Sequence, residues 1–382
     1  MPYLEIQTVP KKGMRSWLYF LLLIWKPKWL AWWLAGKENA SLTSDTHPPS
    51  GLLLAEEEPL GYKPFGIPEP ALPVKTRAVY AHEYASALVY SEGVWLCPKG
   101  LAQLGLKHSS ESKTIHGFFI LESRLKRTIH RMDRGVLLYN RWSMNNYYHW
   151  MTETVPRLRL WMAHPEAQIT PILLPKSFPN FCIESIKLIA PQLPVFRHSG
   201  EEELVLVKRF FFISEPWADI PSAGLLKKSI RALYANIETN RASPTQFVFA
   251  LRRPGLSRSI LNVAEVKEAL AEIPVNYVDF DELAFRDQLV VVRNSIGLIG
   301  FHGANLTNLM FLPAGGQVVE ISFPFLQAAP WNRFCYQHLA QACGLDYTLF
   351  LEANTTEESM DGPVWLDGQQ LSFLLASKVQ DV

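Results

Sequence analysis

Two stretches of this 382-residue chain concentrate side chains that could do chemistry. The first runs YNRWSMNNYYHWMTETVPR from residue 139 to residue 157. Within it His149, Glu153 and Arg157 follow one another at i, i+4 and i+8, so a helix would put them on one face. A carboxylate one turn from a histidine fixes the imidazole tautomer, and such a pair can take a proton from an acceptor hydroxyl. His149 and Glu153 are therefore the candidate catalytic pair, with Asn146, Tyr148 and Arg157 as acceptor-side groups of the same cluster. The plainer alternative is a surface Glu–Arg pair beside a core histidine. A metal site is a weaker reading, because His149-x3-Glu153 has no third ligand close by.

The second stretch lies in the C-terminal half and is spread over three strand ends. After QFVFAL come Arg252, Arg253, Pro254 and Gly255, then Arg258. Arginine suits bidentate contacts to phosphate. After IGLIG comes FHGANLTN, residues 301–308. Gly300 and Gly303 let a backbone approach a ligand closely, and small residues then open a helix whose free N–H groups favour an anion. His302 can donate to a phosphate oxygen. Glu320 closes the apolar strand QVVE, where a carboxylate is awkward unless it faces a cleft, and a ribose diol would suit it. Cations, an anion-friendly helix start and a sugar-binding carboxylate together describe a nucleoside diphosphate site. The chain has no GxxxxGK[ST] string, and no GxGxxG follows its early strands, which argues against a P-loop NTPase or a dehydrogenase.

The elements that must position these groups can be read from apolar periodicity. Residues 39–75, rich in Pro, Gly, Ser and Glu, read as an irregular connection. Short runs at 87–90, 94–97, 117–121 and 135–139 read as strands of a β-rich leading module. Residues 146–161 have helical spacing, with Pro156 either in an early turn or at a kink. Strands at 172–174, 203–207 and 210–213, with helices at 180–189 and 223–239, suggest βαβ units. Residues 240–244 read as a linker.

Beyond the linker, strands at 246–251, 275–278, 296–300, 317–321 and 347–351 alternate with helices at 263–273, 285–293, 304–311 and 332–343, with Asn262 as N-cap of the first. That alternation predicts a doubly wound parallel sheet, and ligands of such sheets bind beyond the strands' carboxyl ends. The division expected is an arm and linker at 1–75, an acceptor-side domain at 76–240 and a donor domain at 241–382.

Composition bounds the remaining classes. The chain is 48% hydrophobic and 19% charged with a formal net charge of +1, so it has material for a large core and no basic excess for nucleic acid. Its four cysteines, Cys97, Cys182, Cys335 and Cys343, form no Cys-x-x-Cys pair and read as scattered reduced thiols. Near the N-terminus WLYFLLLIW and WLAWWLA are separated by Lys26, Pro27 and Lys28. Neither run reaches the roughly 18–20 residues that span a bilayer. The Trp and Lys content instead predicts contact with a membrane surface through residues 14–35, the alternatives being an arm packed on the protein's own body or a signal-anchor.

Four blocks in order, YYHWMTETVPRL, LRRPGLSRSILNVAEV, DELAFRDQLVVV and GLIGFHGANLTNLMFLPAGGQVVEISFP, resemble the motifs of glycosyltransferase family 61 over roughly residues 77–375. The resemblance implies an α/β fold of GT-B type, with two Rossmann-like domains beside the β-rich module and the Trp-rich arm. It implies donor-site roles for Arg253, Arg258, Gln288, His302, Gly303, Ala304, Asn305, Thr307, Asn308 and Glu320. Asn305 stands where the family usually has Gly in this motif, and Asp287 where it usually has Glu. Asn is the residue that best tolerates positive φ after Gly.

The expectation is therefore an enzyme that moves sugar from a nucleotide-sugar donor, a UDP-sugar, to a hydroxyl of a polysaccharide or glycolipid, with inversion. No metal or other cofactor is obligatory on this reading, which leaves room for stimulation by a divalent metal. The expected location is the cytoplasm, peripheral to the inner membrane. Two rivals are a non-catalytic nucleotide- or glycan-binding scaffold, and a hydrolase with Glu153 as acid, which would need a second carboxylate facing it.

Overall fold

The structure, a computed structural model, describes residues 52–56, 78–84, 87–89, 94–97, 100–103, 128–140, 142–199, 203–214, 222–237, 244–324, 334–352 and 362–379. The N-terminal arm, the run at 117–121 and most of the linker at 240–244 lie outside the described residues.

The second half has the predicted doubly wound sheet. Its strands are β10 (Phe247–Leu251), β11 (Val275–Asp279), β12 (Gly297–Phe301), β13 (Gln317–Ser322) and β14 (Asp346–Leu351). All neighbouring pairs are parallel, in the order β11-β10-β12-β13-β14. Alternation along the strands buries both faces, as parallel sheets require. Phe247, Phe249, Ile299, Val319 and Ile321 pack toward Val266, Leu371 and Leu375, while Val248, Ala250, Leu298 and Val318 pack toward Leu289, Leu309 and Leu339. Helix Phe285–Arg293 shows why its face forms: Phe285, Leu289 and Val292 are all buried at i, i+4 and i+7. The chain moves from β10 to β11 on one side, then crosses to β12 on the other. The sheet therefore reverses direction between β10 and β12, which is where open α/β sheets hold ligands.

The first half is a mixed sheet. Its parallel part contains β6 (Thr128–Leu137), β7 (Ile172–Pro175), β8 (Val195–His198) and β9 (Glu203–Ile213). The antiparallel part adds β1 (Leu52–Ala55), β2 (Val79–Tyr84), β3 (Ala87–Val89), β4 (Val94–Cys97) and β5 (Gly100–Gln103) beyond β9. One continuous hydrophobic cluster joins this sheet's core to the inner face of the second sheet.

Several sequence expectations need correction. The runs at 203–207 and 210–213 are one strand, β9. Lys208 and Arg209 looked like a break, but they stay in strand by pairing with Asp133, and with Glu83 and Glu166. The segment read as irregular at 39–75 contains β1, because the apolar LLLA pairs with β2. The strand expected at 135–139 begins much earlier, at Thr128, because pairing with β9 carries its charged first half. Residues 304–311 form a 3-10 rather than an α-helix, and the helix expected from 332 is described from Cys335. Asn262 precedes helix Val263–Ala269 but makes no side-chain cap. Its amide instead grips Leu366 through both N and O, at 3.1 and 3.0 Å. The closing helix Gly368–Val379 and strand β8 were not expected at all.

β8 ends on His198, which is fully buried with neither ring nitrogen hydrogen-bonded. Burial pulls its pKa down to about 4, with Glu203 opposing and His130, Lys176 and Arg197 reinforcing the depression. The unfolded chain binds this proton near pH 6.5 and the folded chain does not. The stability this group contributes is thus present above about pH 6.5 and lost as the pH falls toward 4, on the order of 3 kcal/mol in all. Urea denaturation of wild type and His198→Leu at pH 7 and pH 4.5 checks this. The variant is expected to lose clearly less stability over that interval; equal losses would contradict the assignment.

Candidate active site

The first pole of the site stands beyond the carboxyl end of β6. Residues 147–161 form a single helical run with a π-turn inside it, at Trp150–Thr154. Pro156 follows the π-turn directly, inside the run, where its ring removes one backbone donor from the helical ladder. Sequence spacing gave no sign of the π-turn, a feature that recurs at functional sites. His149 precedes it and Glu153 lies within it. The two meet, Nδ1 to Oε1 at 2.5 Å. The other oxygen of Glu153 accepts from Asn140 Nδ2. Asn140 is itself fixed: its Oδ1 accepts from the Ser143 N–H at 2.9 Å and the Ser143 hydroxyl at 2.8 Å, and Thr154 donates to Ser143 at 2.9 Å.

Burial pushes the Glu153 carboxyl up. Hydrogen bonds from His149 and Asn140 and the charges of Arg157 and His149 outweigh it and hold the group below the usual carboxylate range. With Nδ1 committed to Glu153, the outward nitrogen of half-exposed His149 is Nε2.

The other expected acceptor-side residues take different places. Asn146 caps the helix, accepting from Tyr148 N at 2.9 Å. Arg157 is completely buried and donates to the Leu138 carbonyl at 3.3 Å, so it supports the site from beneath. Tyr148 lies edge-on to His149.

The second pole stands at the switch point between β10 and β12. Gly303 has φ 152° and ψ 175°, a conformation essentially confined to glycine. A Cβ there would lie 2.9 Å from one guanidinium nitrogen of Arg252 and 3.0 Å from one of Arg258. Two cations therefore close over a bare stretch of backbone. Arg252 also donates to the Ser257 carbonyl and hydroxyl, both at 3.1 Å. Arg258 donates to the His302 carbonyl. Its own φ is 59°, the one non-glycine positive value among the described residues. A C-terminal strap holds that strained turn: Arg258 N donates to Gly362 O at 2.7 Å and Leu261 N to Val364 O at 2.8 Å.

His302 is buried, with Nδ1 2.6 Å from Glu320 Oε1. Tyr347 donates to the other oxygen of Glu320 at 2.7 Å. One Glu320 oxygen thus meets His302 and the other Tyr347, contacts that the ribose reading of this carboxylate did not include. His302 Nε2 is left as the ring nitrogen facing away from the pair.

The expected donor residues are only partly gathered here. Arg258, His302 and Gly303 are. Arg253 turns away, with Nε 3.2 Å from Asp279 and Nη2 3.8 Å from Asp281. Its neighbour Arg252 is the one at the cradle. Ala304 and Asn305 are half-buried at the start of the 3-10 segment, and Asn305 does not adopt the positive φ considered for it. Thr307 is fully buried near Tyr336. Gln288 donates to the carbonyls of Phe280 and Leu283 and faces Asn308 at 3.5 Å.

Asn308 in turn accepts from the Tyr147 hydroxyl at 2.7 Å, tying the two poles together. A second tie runs through rings: Tyr148 to Tyr336 at 5.6 Å and Tyr336 to His302 at 5.2 Å, both edge-on. Burial pushes the Tyr336 phenol well above its ordinary pKa, so it remains neutral. Sequence reading missed Asn140, Tyr336 and Tyr347, and it counted Arg252 in the cationic loop without placing it among the donor residues. Among the described residues no group of three His, Cys, Asp or Glu side chains is gathered as for a metal, and no helix is long and apolar enough to cross a membrane.

Most of this geometry, though not Asn140, Glu320, Tyr336, Tyr347 or the C-terminal strap, falls within the segment that known proteins share. The family model "Glycosyltransferase 61" matches residues 147–319, from the first residue of the His149 helix to the strand carrying Glu320. That match covers a little under half of the chain and is to the family that its motif blocks resemble. Protein O-linked-mannose beta-1,4-N-acetylglucosaminyltransferase 2 of Danio rerio is 32% identical over 135 residues, 32% of this chain and 23% of that protein. EGF domain-specific O-linked N-acetylglucosamine transferase of Xenopus laevis is 39% identical over 95 residues, 24% of this chain and 17% of that protein. The same-named enzyme of Drosophila melanogaster is 37% identical over 93 residues, again 24% and 17%. The chain thus spans less than a quarter of these curated relatives' length.

The conformation at Gly303 carries a direct test. Gly303→Ala is expected to lose about 1–3 kcal/mol of stability, because its backbone is closed to L-residues and two guanidiniums occupy the new methyl's place. Chemical denaturation measures it; a variant indistinguishable from wild type would contradict the geometry.

Proposed function

We propose that this chain is a glycosyltransferase that moves a sugar from a UDP-sugar to a hydroxyl of a glycan or glycolipid acceptor, with inversion at the anomeric carbon. The observation that carries the reading is the pair Arg252 and Arg258 closing over Gly303 at the sheet's switch point, with His302 locked beside them by Glu320. Cations and backbone there suit a departing diphosphate, and preorganised charge of this kind is commonly the largest catalytic contribution. Two sheets with parallel strands, His149 beyond one and His302 beyond the other, support a GT-B layout with the domain boundary near residue 240.

In this mechanism His149 Nε2 takes the proton of the acceptor hydroxyl while Glu153 holds Nδ1. The hydroxyl oxygen attacks the anomeric carbon from the face opposite the nucleotide. The bond from that carbon to the diphosphate oxygen breaks, and its electron pair leaves with the diphosphate toward Arg252, Arg258 and His302 Nε2. Protein cations carry the developing charge, so the reading asks for no obligatory metal. The relatives' names place N-acetylglucosamine first among sugars to test. The membrane surface contact of residues 14–35 and an inner-membrane location belong to the same proposal.

Binding and turnover with UDP-sugars separate the two poles. Arg252→Ala is expected to weaken UDP binding by tenfold or more, on the order of one charge-assisted hydrogen bond, and Arg253→Ala much less. His149→Ala is expected to keep UDP affinity within about twofold and to lower kcat by roughly 10²–10⁴. Turnover unchanged in His149→Ala would remove it as the base. UDP that binds with no turnover of any donor would favour a scaffold role.

A further inference from the structure

If Glu320 is committed to His302 and Tyr347, another group must meet the ribose of the nucleotide. The sheet order says where to look. The two cationic loops follow β10 and β12, so a nucleotide whose diphosphate lies between them extends along the strand ends, toward β11 on the side of β10. A carboxylate there is placed to accept from both hydroxyls of a vicinal diol. β11 ends on Asp279, which sits in register beside Leu251, the residue immediately before Arg252.

The state of Asp279 fits this task. Its side chain is 15% exposed, so it is sheltered yet reachable. One oxygen is pinned by the Asp281 N–H at 2.9 Å, which fixes the carboxylate's orientation. The other oxygen is covered and accepts no hydrogen bond; its neighbour is the Arg253 guanidinium, 3.2 Å away. Arg253 is 54% exposed and reaches Asp281 as well, so it can swing aside at little cost. Asp281 and Glu282, the other acids of this turn, are exposed and lie beyond Asp279.

We propose that Asp279 is the carboxylate that receives the ribose hydroxyls of the nucleotide, and that Arg253 covers it until the nucleotide arrives. The proposal rests on the nucleotide-sugar reading above and adds to it a binding residue and a reason for the turned-away arginine. It also makes the site selective for ribonucleotides. A sugar lacking one hydroxyl leaves a sheltered carboxylate oxygen without its donor, and unmet polar groups of this kind give strong discrimination.

Calorimetric titration of the full chain with UDP, 2′-deoxy-UDP and 3′-deoxy-UDP tests this. Wild type is expected to bind UDP tighter than at least one deoxy form by about tenfold or more. Asp279→Asn, which keeps shape and removes charge, is expected to bring all three within about threefold. Arg253→Gln, which uncovers Asp279, is expected to keep or widen the preference, and it decides the matter should Asp279→Asn fail to fold. A preference that survives intact in Asp279→Asn, or disappears in Arg253→Gln, overturns the role of Asp279 while leaving the diphosphate cradle standing. Wild type that binds UDP but ignores both missing hydroxyls does the same. Wild type that binds none of the three overturns the nucleotide reading itself, and this inference with it.

Discussion

At Gly303 the backbone takes a path that no side chain allows, and the guanidiniums of Arg252 and Arg258 close over it. Bringing two like charges to one point is unfavourable in the absence of an anion. The surrounding structure holds them there nonetheless. Arg252 is tied to Ser257, Arg258 to the His302 carbonyl, and the strained turn at Arg258 is clamped by a C-terminal strap more than a hundred residues away in sequence. The Asn262 amide fastens the same strap at Leu366. Much of the second half can be understood as scaffolding for this one arrangement.

The same logic governs the two histidines. Each is oriented through Nδ1 by a carboxylate, and each carboxylate is fixed by a second donor: Asn140 for Glu153 and Tyr347 for Glu320. In both cases Nε2 is the ring nitrogen left facing away from the carboxylate. Tyr147 and Tyr148, consecutive residues on the first-half helix, then link the poles, one by a hydrogen bond to Asn308 and the other by an edge contact to Tyr336. A shift of either half is therefore felt at the other pole.

The order of strands and helices in the second half was legible because each strand is a short apolar run bounded by Gly, Pro, Asn or Asp, and each helix has a clear buried face. The His149–Glu153 pair was legible because one helical turn fixes its geometry. What could not be read is side-chain direction after a strand end. Arg252 and Arg253 are adjacent and chemically alike, yet one faces Gly303 and Ser257 and the other faces Asp279 and Asp281, partners set by the tertiary fold rather than by the local pattern. The contact of Glu320 with Tyr347, a partner 27 residues away on the neighbouring strand, was equally out of reach. Asn140 and the π-turn left no periodic signal. β1 was hidden because a four-residue apolar run inside a Pro- and Gly-rich stretch is too short to stand out.

The most direct measurement is a crystal structure of the protein with UDP bound. The account predicts the diphosphate against the Gly303 backbone, within hydrogen-bond reach of Arg252, Arg258 and His302 Nε2. A diphosphate held instead by Arg253, or lying on the His149 side of the crevice, would contradict it.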